Sequence, residues 1–534
     1  MTIVIHTIRA GDHNGYALVR GRQTLLIDCP FSDAETLAKA GIPAPAVILH
    51  TQVQEEHCRE WAAFPQAEVY VPKGTADLAQ CNERFRKDAR TVWPPDRPWD
   101  PVTMGMETYS LAGALTERPP RHPLHVAGEL VPGTVFSWEG VDFEIIALPG
   151  HGRHSVGFHW KERGLLFSGD LMLAGGYPVN LYDLERGYGI KRGHQELMKS
   201  ARAVMRRAPS RMLPATGAAI EQPVPDAMRL LERLGRLVNP GPVLFRQNEP
   251  GAQIGYTPVR EFGMFRQVMD GVYQNNTYGN MVFFIDSAGR ALLVDPDPCV
   301  WKSWEENCRI VHEQLDILER EAGLKRIELV LITHYHGDHI QYCDLLRKRY
   351  GSTVCAPCDV ASVMEHPERF AYPAMVDWYG FPFTSVAVDR RLVYNRPIDW
   401  NGMAVKPIHT PGHCFAHASY SLTWQGRRVV VAGDVLQRGT GPIAAPGIGI
   451  LYNDAAPPHR HARHAFERMA AEAPEVVLGG HGHCFFDEDG SVMRELCRAA
   501  AAGDEALRDL VAGDLERACT PPHFDAIRPV IVTD

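Results

Sequence analysis

Short runs of apolar residues alternate with longer amphipathic stretches along the whole chain. Residues 47–49, 143–148 and 429–432 are largely apolar runs of strand length. Residues 228–237 and 464–473 instead place their apolar side chains at helical spacing. Runs of the first kind predict buried strands, and stretches of the second kind predict helices that pack on a sheet. The alternation therefore predicts a layered α/β fold.

The pattern occurs twice. Six segments of the first half reappear in the same order in the second half, which is the signature of an internal repeat. The pairs are 21–28 with 289–295, 47–51 with 330–333, 149–151 with 411–413, 165–170 with 429–434, 181–183 with 451–453, and 213–217 with 478–482. We therefore predict homologous domains at residues 1–236 and 260–503, a Pro/Gly-rich linker at 237–259 and a C-terminal tail at 504–534.

Composition narrows the class of protein. A chain of 534 residues that is 45% hydrophobic and 22% charged is typical of globular domains and excludes a disordered or fibrous protein. The net charge of −9 argues against a nucleic-acid partner. The twelve cysteines show no disulfide spacing, the N-terminus has no signal-peptide pattern, and no apolar run could cross a membrane. We expect a cytoplasmic protein that does not contact the membrane.

The segment 333–339 carries four side chains of metal-ligand type in the second half. It follows an apolar strand and precedes a helical stretch. His334 and His336 point to the same side of an extended backbone, and Asp338 and His339 lie where the helix begins. Imidazoles and a carboxylate gathered on one loop suit zinc, iron or manganese.

Further residues of ligand type follow downstream. They are His413, Asp434 and His481, and each has a glycine beside it that lets the backbone approach a crowded centre. Seven ligands exceed the needs of one tetrahedral ion but suit two, and a carboxylate such as Asp434 can bridge a pair of ions about 4 Å apart.

This constellation resembles the metallo-β-lactamase fold superfamily, whose pattern is HxHxDH, a later His, an Asp and a last His. The resemblance spans residues 260–503. Within the superfamily, the ligand set is similar to that of the dinuclear glyoxalase II-like and RNase Z-like branches. The resemblance implies two tandem αβ/βα sandwiches with the metals at one edge of the sheets. It also implies two divalent ions, zinc foremost with manganese or iron as alternatives. The implied ligands are His334, His336 and His413 for the first ion, Asp338, His339 and His481 for the second, and Asp434 as the bridge.

The first half lacks most of this set. The replacements are Gln52 for His334, Gln54 for His336, Glu56 for Asp338 and Thr216 for His481, whereas His57, His151 and Asp170 remain. Glutamine is a weak ligand for first-row transition metals, so we predict a degenerate copy. The alternative is a mononuclear site made of Glu56, His57, His151 and Asp170.

The function predicted from these residues is a metal-dependent hydrolase confined to the C-terminal domain. A metal-bridging hydroxide would attack a small-molecule ester, thioester, lactone or phosphoester, with Asp338 or Asp434 orienting it and relaying its proton. One alternative is an oxidoreductase similar to the mononuclear-iron persulfide dioxygenases. Another is a binding protein without activity, which would require a damaged second site. Association into a homo-oligomer is left open.

For several residues near the predicted ligands, the sequence allows two interpretations. His417 and His483 would either hydrogen-bond a ligand and move protons or be ordinary histidines. The histidine-rich segment 458–464 is read as a solvated helix face, with binding of an anionic group as the alternative. Cys355 and Cys358 are read as ordinary thiols. Segments 81–131 and 372–397 are the predicted specificity loops.

Overall fold

The computed structural model describes the chain in segments that form two compact units. The first unit contains the described residues up to 236 and those from 508 onward, and the second contains those from 237 to 507. The described residues are 2–60, 63–80, 120, 122–181, 184, 193–238, 258–275, 277, 279, 281–298, 302–366, 385–414, 416–437, 458–481, 484–513 and 530–533.

The first unit is built on two sheets. Its strands are β1 (Val4–Ala10), β2 (His13–Arg20), β3 (Gln23–Ile27), β4 (Val47–Leu49), β5 (Glu68–Pro72), β6 (Val126–Leu130), β7 (Val135–Trp138), β8 (Val141–Ala147), β9 (Val156–Trp160), β10 (Leu165–Gly169), β11 (Arg211–Pro214) and β26 (Val530–Thr533). One sheet has the order β26-β1-β2-β3-β4-β5-β6, and the other has the order β11-β10-β9-β8-β7. Antiparallel pairing gives way to parallel pairing between β3 and β6.

The second unit repeats this arrangement. Its strands are β12 (Arg260–Phe262), β13 (Phe265–Met269), β14 (Val272–Asn275), β15 (Val282–Ile285), β16 (Arg290–Val294), β17 (Arg326–Leu331), β18 (Thr353–Pro357), β19 (Arg390–Leu392), β20 (Ile398–Trp400), β21 (Met403–His409), β22 (Ala418–Trp424), β23 (Arg427–Gln437), β24 (Val476–His481) and β25 (Phe485–Phe486). The strands β12 to β19 form one sheet in sequence order, and β20 to β25 form the other. Strands β16 to β19 are parallel, as are β23 and β24.

Helices connect the strands of both units. In the first unit they are α1 (Glu35–Lys39), α2 (Ala76–Gln80), α3 (Gly193–Arg207) and α4 (Pro223–Val238), together with a 3-10 turn at Lys161–Arg163. In the second they are α5 (Trp304–Ala322), α6 (Gly337–Ile340), α7 (Cys343–Tyr350), α8 (Cys358–Glu365), α9 (Pro458–Ala471) and α10 (Ser491–Asp509), of which the last two residues belong to the first unit. No helix among the described residues is both long and apolar enough to span a bilayer.

Strand β16 shows why the second unit is layered. Leu292 and Val294 enter the core between the two sheets, where they join Tyr420 of the facing sheet. Leu293 points to the opposite face and packs under the helices, with Leu315 of α5. A strand covered on both faces must be apolar throughout, which is the pattern that the sequence displays. The αβ/βα layering predicted from the sequence is confirmed.

The last described strand belongs to the first sheet. β26 pairs antiparallel with β1, so that Val530 lies opposite Arg9 and Thr533 opposite His6. It therefore pairs with the side of β1 that faces away from β2. The domain, linker and tail boundaries proposed from the sequence stay predictions.

Candidate metal centre

Seven side chains of ligand type meet at one edge of the second unit. The parallel strand β17 ends at Leu331, and the chain then turns through residues 333–336 into the short helix α6. The strands β21, β23 and β24 of the other sheet bring further residues to this edge. Each side chain belongs to a residue that is at most 4% exposed: His334, His336, Asp338, His339, His413, Asp434 and His481.

Six of the seven form two groups. The ligand atoms of each group lie within 4.8 Å of one another; the groups are His334, His336 and His413, and Asp338, His339 and His481. Asp434 lies between them. Its Oδ2 is 3.1 Å from Nε2 of His481, 3.3 Å from Nε2 of His339, 3.4 Å from Nε2 of His413 and 3.8 Å from Nε2 of His334. The structure thus brings all seven predicted residues together.

Asp295 organises this loop and was not singled out as a site residue from the sequence. It follows β16 with a positive φ of 53°, which turns its carboxylate toward the next strand. Oδ1 accepts a hydrogen bond from the Thr333 backbone N–H at 2.8 Å, and Oδ2 accepts one from the Thr333 hydroxyl at 2.6 Å. Oδ2 also lies 2.9 Å from Nδ1 of His339. Donation from Nδ1 leaves Nε2 of His339 directed at the centre.

The electrostatics of the centre separate a charged carboxylate from a neutral imidazole. Burial alone would raise the pKa of Asp434, but His339 and His481 outweigh it and hold that pKa well below its ordinary value. Burial, reinforced by His339 and His336, lowers the pKa of His334 well below its ordinary value. For His339, burial would lower the pKa, but the carboxylates of Asp434, Asp338 and Asp295 raise it well above the usual range. Asp434 is therefore an anion, and His334 is a neutral imidazole.

The donor set fits divalent metal ions. Nε2 of His334 is fully buried, makes no hydrogen bond, and faces the Asp434 carboxylate. Nε2 of His413 and Nδ1 of His336 approach to 2.8 Å, so two imidazole nitrogens point at the same space. Convergent imidazole nitrogens beside an ionised carboxylate are the donors that zinc, iron and manganese prefer.

Replacing Asp295 with asparagine is expected to weaken metal binding about 10- to 100-fold without unfolding the protein, because the partners that orient a metal-binding imidazole contribute that much to affinity. In the variant, the amide nitrogen of asparagine would replace one carboxylate oxygen and would face a donor group of Thr333 or His339 instead of accepting from it. The measurement is competition with a chromophoric chelator. Asp28→Asn is the matched control, because Asp28 accepts the same hydrogen bonds from Thr51 in the first unit. Equal losses in both variants would contradict the role of Asp295.

The corresponding centre of the first unit is closed by hydrogen bonds. Asp170 accepts hydrogen bonds from the amide of Gln52 and from Nε2 of His57, both at 2.8 Å, and from the hydroxyl of Thr216 at 2.7 Å. Ser155 donates to the amide oxygen of Gln52 at 2.9 Å. Burial would raise the pKa of Asp170, but His57 and Thr216 lower it well below its ordinary value. Neutral donors and one imidazole thus satisfy this buried carboxylate.

The proposed mononuclear alternative is assembled only in part. Glu56, His57 and Asp170 have ligand atoms within 4.8 Å of one another, so a three-residue group exists. His151 is not among them, and its Nε2 accepts a hydrogen bond from the backbone N–H of Val179 at 3.2 Å. His151 was predicted as the fourth ligand of this site, and the structure does not bring it into the group.

The structure describes some of the other residues that the sequence singled out, and the rest lie outside the described part of the chain. His417 is fully buried, and burial lowers its pKa to about 3. Cys355 lies in the core between the sheets, whereas Cys358 is exposed at the start of α8, so the pair does not form one motif. His483, the side chains of residues 458–462, most of segment 81–131 and residues 372–384 of segment 372–397 lie outside the described residues.

A sequence profile of the metallo-β-lactamase superfamily matches residues 8–216 and 277–481. The two matches cover both halves of the repeat and most of the chain. The chain therefore belongs to the metallo-β-lactamase superfamily.

The named proteins to which this chain is similar in sequence are hydrolases. The chain is 26% identical over 226 residues to a hydroxyacylglutathione hydrolase of Acidiphilium cryptum, covering 39% of this chain and 79% of that protein. The enzyme of the same name from Rhizobium meliloti is 30% identical over 108 residues, covering 20% of this chain and 33% of its own length. The Aeromonas salmonicida enzyme is 25% identical over 188 residues, covering 34% of this chain and 59% of its own length. The chain thus spans less than two thirds of the last two relatives.

Among solved structures, a metallo-β-lactamase with a HARLDQ motif from Cronobacter sakazakii is 21% identical and has a TM-score of 0.36, covering 48% of this chain and 98% of that one. The chain is an enzyme of the hydrolase class, and its superfamily implies the binding of divalent metal.

Proposed function

We propose that the second unit is a dinuclear metal-dependent hydrolase and that catalysis is confined to it. The two ions would be held by His334, His336 and His413 and by Asp338, His339 and His481, with Asp434 shared. Zinc is the expected metal, with manganese or iron as alternatives. The observation that carries the proposal is the position of Asp434 Oδ2, which lies within 3.1–3.8 Å of histidine nitrogens from both groups.

Divalent ions bound there would supply Lewis acidity, which lowers the pKa of a coordinated water and neutralises charge that develops on a substrate oxygen. The protein's own part is to hold the ligands rigidly and to move the proton. We assign the orientation of the nucleophile and the transfer of its proton to Asp338 or Asp434, whose Oδ2 atoms lie 3.5 Å and 3.1 Å from Nε2 of His481.

The substrate class that we favour is a small thioester. The relatives named above are hydroxyacylglutathione hydrolases, and a hydroxyacylglutathione joins an acyl group to a thiol. Esters and lactones have an electrophilic carbonyl carbon and phosphoesters an electrophilic phosphorus, each bonded to an oxygen that a metal ion could polarise, so they belong in the same screen. Action in the cytoplasm and the absence of a nucleic-acid partner stay predictions from composition.

The test is metal quantification on protein as purified, followed by turnover of thioester, ester, lactone and phosphodiester substrates. We expect close to two divalent ions per chain and hydrolysis that is lost on chelation and restored by adding metal back. One iron per chain together with oxygen consumption on a persulfide would instead support the mononuclear oxidoreductase. A metal-loaded protein that is inactive on every substrate class would contradict the hydrolase proposal.

A further inference from the structure

His417 lies between two segments that carry ligand-type residues. It stands four positions after His413, and its ring centroid is 5.0 Å from that of His334, with the two planes 30° apart. On its other side, Nε2 lies 3.2 Å from the backbone nitrogen of Asp434. His417 is itself none of the seven ligand-type residues, yet it touches two of them.

The hydrogen bonds of His417 have only one consistent direction. A backbone N–H can only donate, so Nε2 of His417 accepts from Asp434 and carries no proton. The proton of the neutral ring is then on Nδ1, which donates to the hydroxyl of Thr410 at 3.0 Å. The Thr410 hydroxyl donates to that of Ser419 at 2.9 Å, and Ser419 donates to the carbonyl of Ala432 at 3.0 Å.

These four hydrogen bonds begin and end on the same segment. The first starts at the N–H of Asp434, and the last reaches the carbonyl of Ala432, so the bonds enclose Gly433. Gly433 has a φ of +61°, and a Cβ on it would lie 2.9 Å from Cε1 and Nε2 of His417. Glycine is thus the residue that allows the imidazole to reach the backbone next to it.

The first unit offers an internal comparison. Ser155 occupies the position of His417, four residues after His151. Its hydroxyl lies within donating distance of two acceptors, the amide oxygen of Gln52 at 2.9 Å and the carbonyl of Gly152 at 3.0 Å. The half that has glutamine in place of His334 has therefore also lost the imidazole that supports the shared carboxylate.

We propose that His417 is a positioning residue that fixes the backbone of Asp434, so that Oδ2 of Asp434 stays between the two groups of ligands. This inference rests on the proposed function in one respect, namely that Asp434 serves bound metal. His417 itself does not contact metal or substrate; it acts through the peptide group of Asp434. Its effect on metal binding is comparable to that of other residues that orient a ligand.

The first test is the tautomer of His417. In zinc-loaded protein with ¹⁵N-labelled histidine, we expect one neutral imidazole with a protonated Nδ1 and a pyridine-type Nε2. Its signal should disappear in His417→Gln and persist in His409→Ala, which alters another histidine that precedes the same loop. A His417 signal with the proton on Nε2 would overturn the proposal.

The second test is stepwise metal affinity at a temperature where circular dichroism shows each variant folded. His417→Ala is expected to weaken binding about 10- to 100-fold. His417→Gln should recover much of this loss, because its amide oxygen can accept the Asp434 N–H, and His409→Ala should bind as the unaltered protein does. Unchanged affinity in His417→Ala, or equal losses in His417→Ala and His417→Gln, would overturn the proposal.

The outcomes distinguish failure of the proposed function from failure of the positioning role of His417. Absence of hydrolysis with the expected tautomer and affinities would contradict only the proposed function. Absence of metal uptake by the unaltered protein would contradict the proposed function and the role of His417 in metal binding together. If His417 of the unaltered protein carried its proton on Nε2 while hydrolysis was normal, only the positioning role would be contradicted.

Discussion

Replacing both His334 and His336 with alanine is expected to remove bound metal and activity together. The two imidazoles supply two of the three nitrogen ligands of one group, and His334 also faces the shared carboxylate of Asp434. Loss of a partner that only orients a ligand already costs about 10- to 100-fold, so loss of two ligands should reduce hydrolysis by at least about a thousandfold. Metal analysis and turnover of the best substrate measure the two effects.

The repeat provides the matched control for this experiment. Gln52 and Gln54 occupy the same two positions in the first half, so Gln52→Ala with Gln54→Ala removes two buried side chains of similar size. We expect this variant to keep its metal and its activity, with a loss confined to stability because Gln52 no longer donates to Asp170. If it lost as much metal as the histidine variant, confinement of catalysis to the second unit would be wrong.

Asp434→Asn is expected to weaken the ion held by Asp338, His339 and His481 more than the other ion. Oδ2 of Asp434 is closer to His481 and His339 than to His334, and the group that contains His334 already has three imidazoles. The amide keeps the size of the side chain and loses its charge. We expect turnover to fall at least about a hundredfold with little change in the melting temperature. Stepwise metal titration and calorimetry separate the two effects.

Asp170→Asn is the control, and its effect should be the reverse. Asp170 accepts three hydrogen bonds, and its pKa is lowered, so its charge stabilises the folded protein at neutral pH. We expect a loss of about 2–3 kcal/mol in unfolding free energy and unchanged turnover. A lowered carboxylate pKa stabilises above the pKa of the unfolded chain, near 4, and the effect disappears as the pH falls through the folded value. The stability difference between this variant and the unaltered protein should therefore shrink below about pH 4.

Retention of both metals and normal turnover in Asp434→Asn would refute the bridging role.

The ligand-type residues could be predicted because they are local to strand ends. His334, His336, Asp338 and His339 lie within one short loop, and a parallel strand places that loop at a sheet edge whatever the remaining packing. Asp434 and His481 each follow an apolar run, and all three later residues, His413 included, have a glycine beside them. The sequence pattern therefore predicted both the layered fold and the set of side chains that the fold gathers.

Other features depend on contacts that no local pattern encodes. Asp295 is recognisable as an acid that ends a strand, but its left-handed backbone and its bonds to Thr333 and His339 are tertiary facts. The direction of the hydrogen bonds around His417 depends in the same way on how two strands and a loop pack. In the first half, the loss of histidines was visible, whereas the hydrogen-bonded replacement around Asp170 was not.

The pairing of β26 with β1 has a consequence for how the protein is made. The two strands share one sheet but are separated in the sequence by the entire second unit. At a synthesis rate of about 5–20 residues per second, the edge of β1 leaves the ribosome roughly half a minute to two minutes before its partner strand exists. An unpaired strand edge is a template for association with other chains. The nascent first unit must therefore pass through a period in which the outer edge of β1 is unpaired and its protection depends on chaperones.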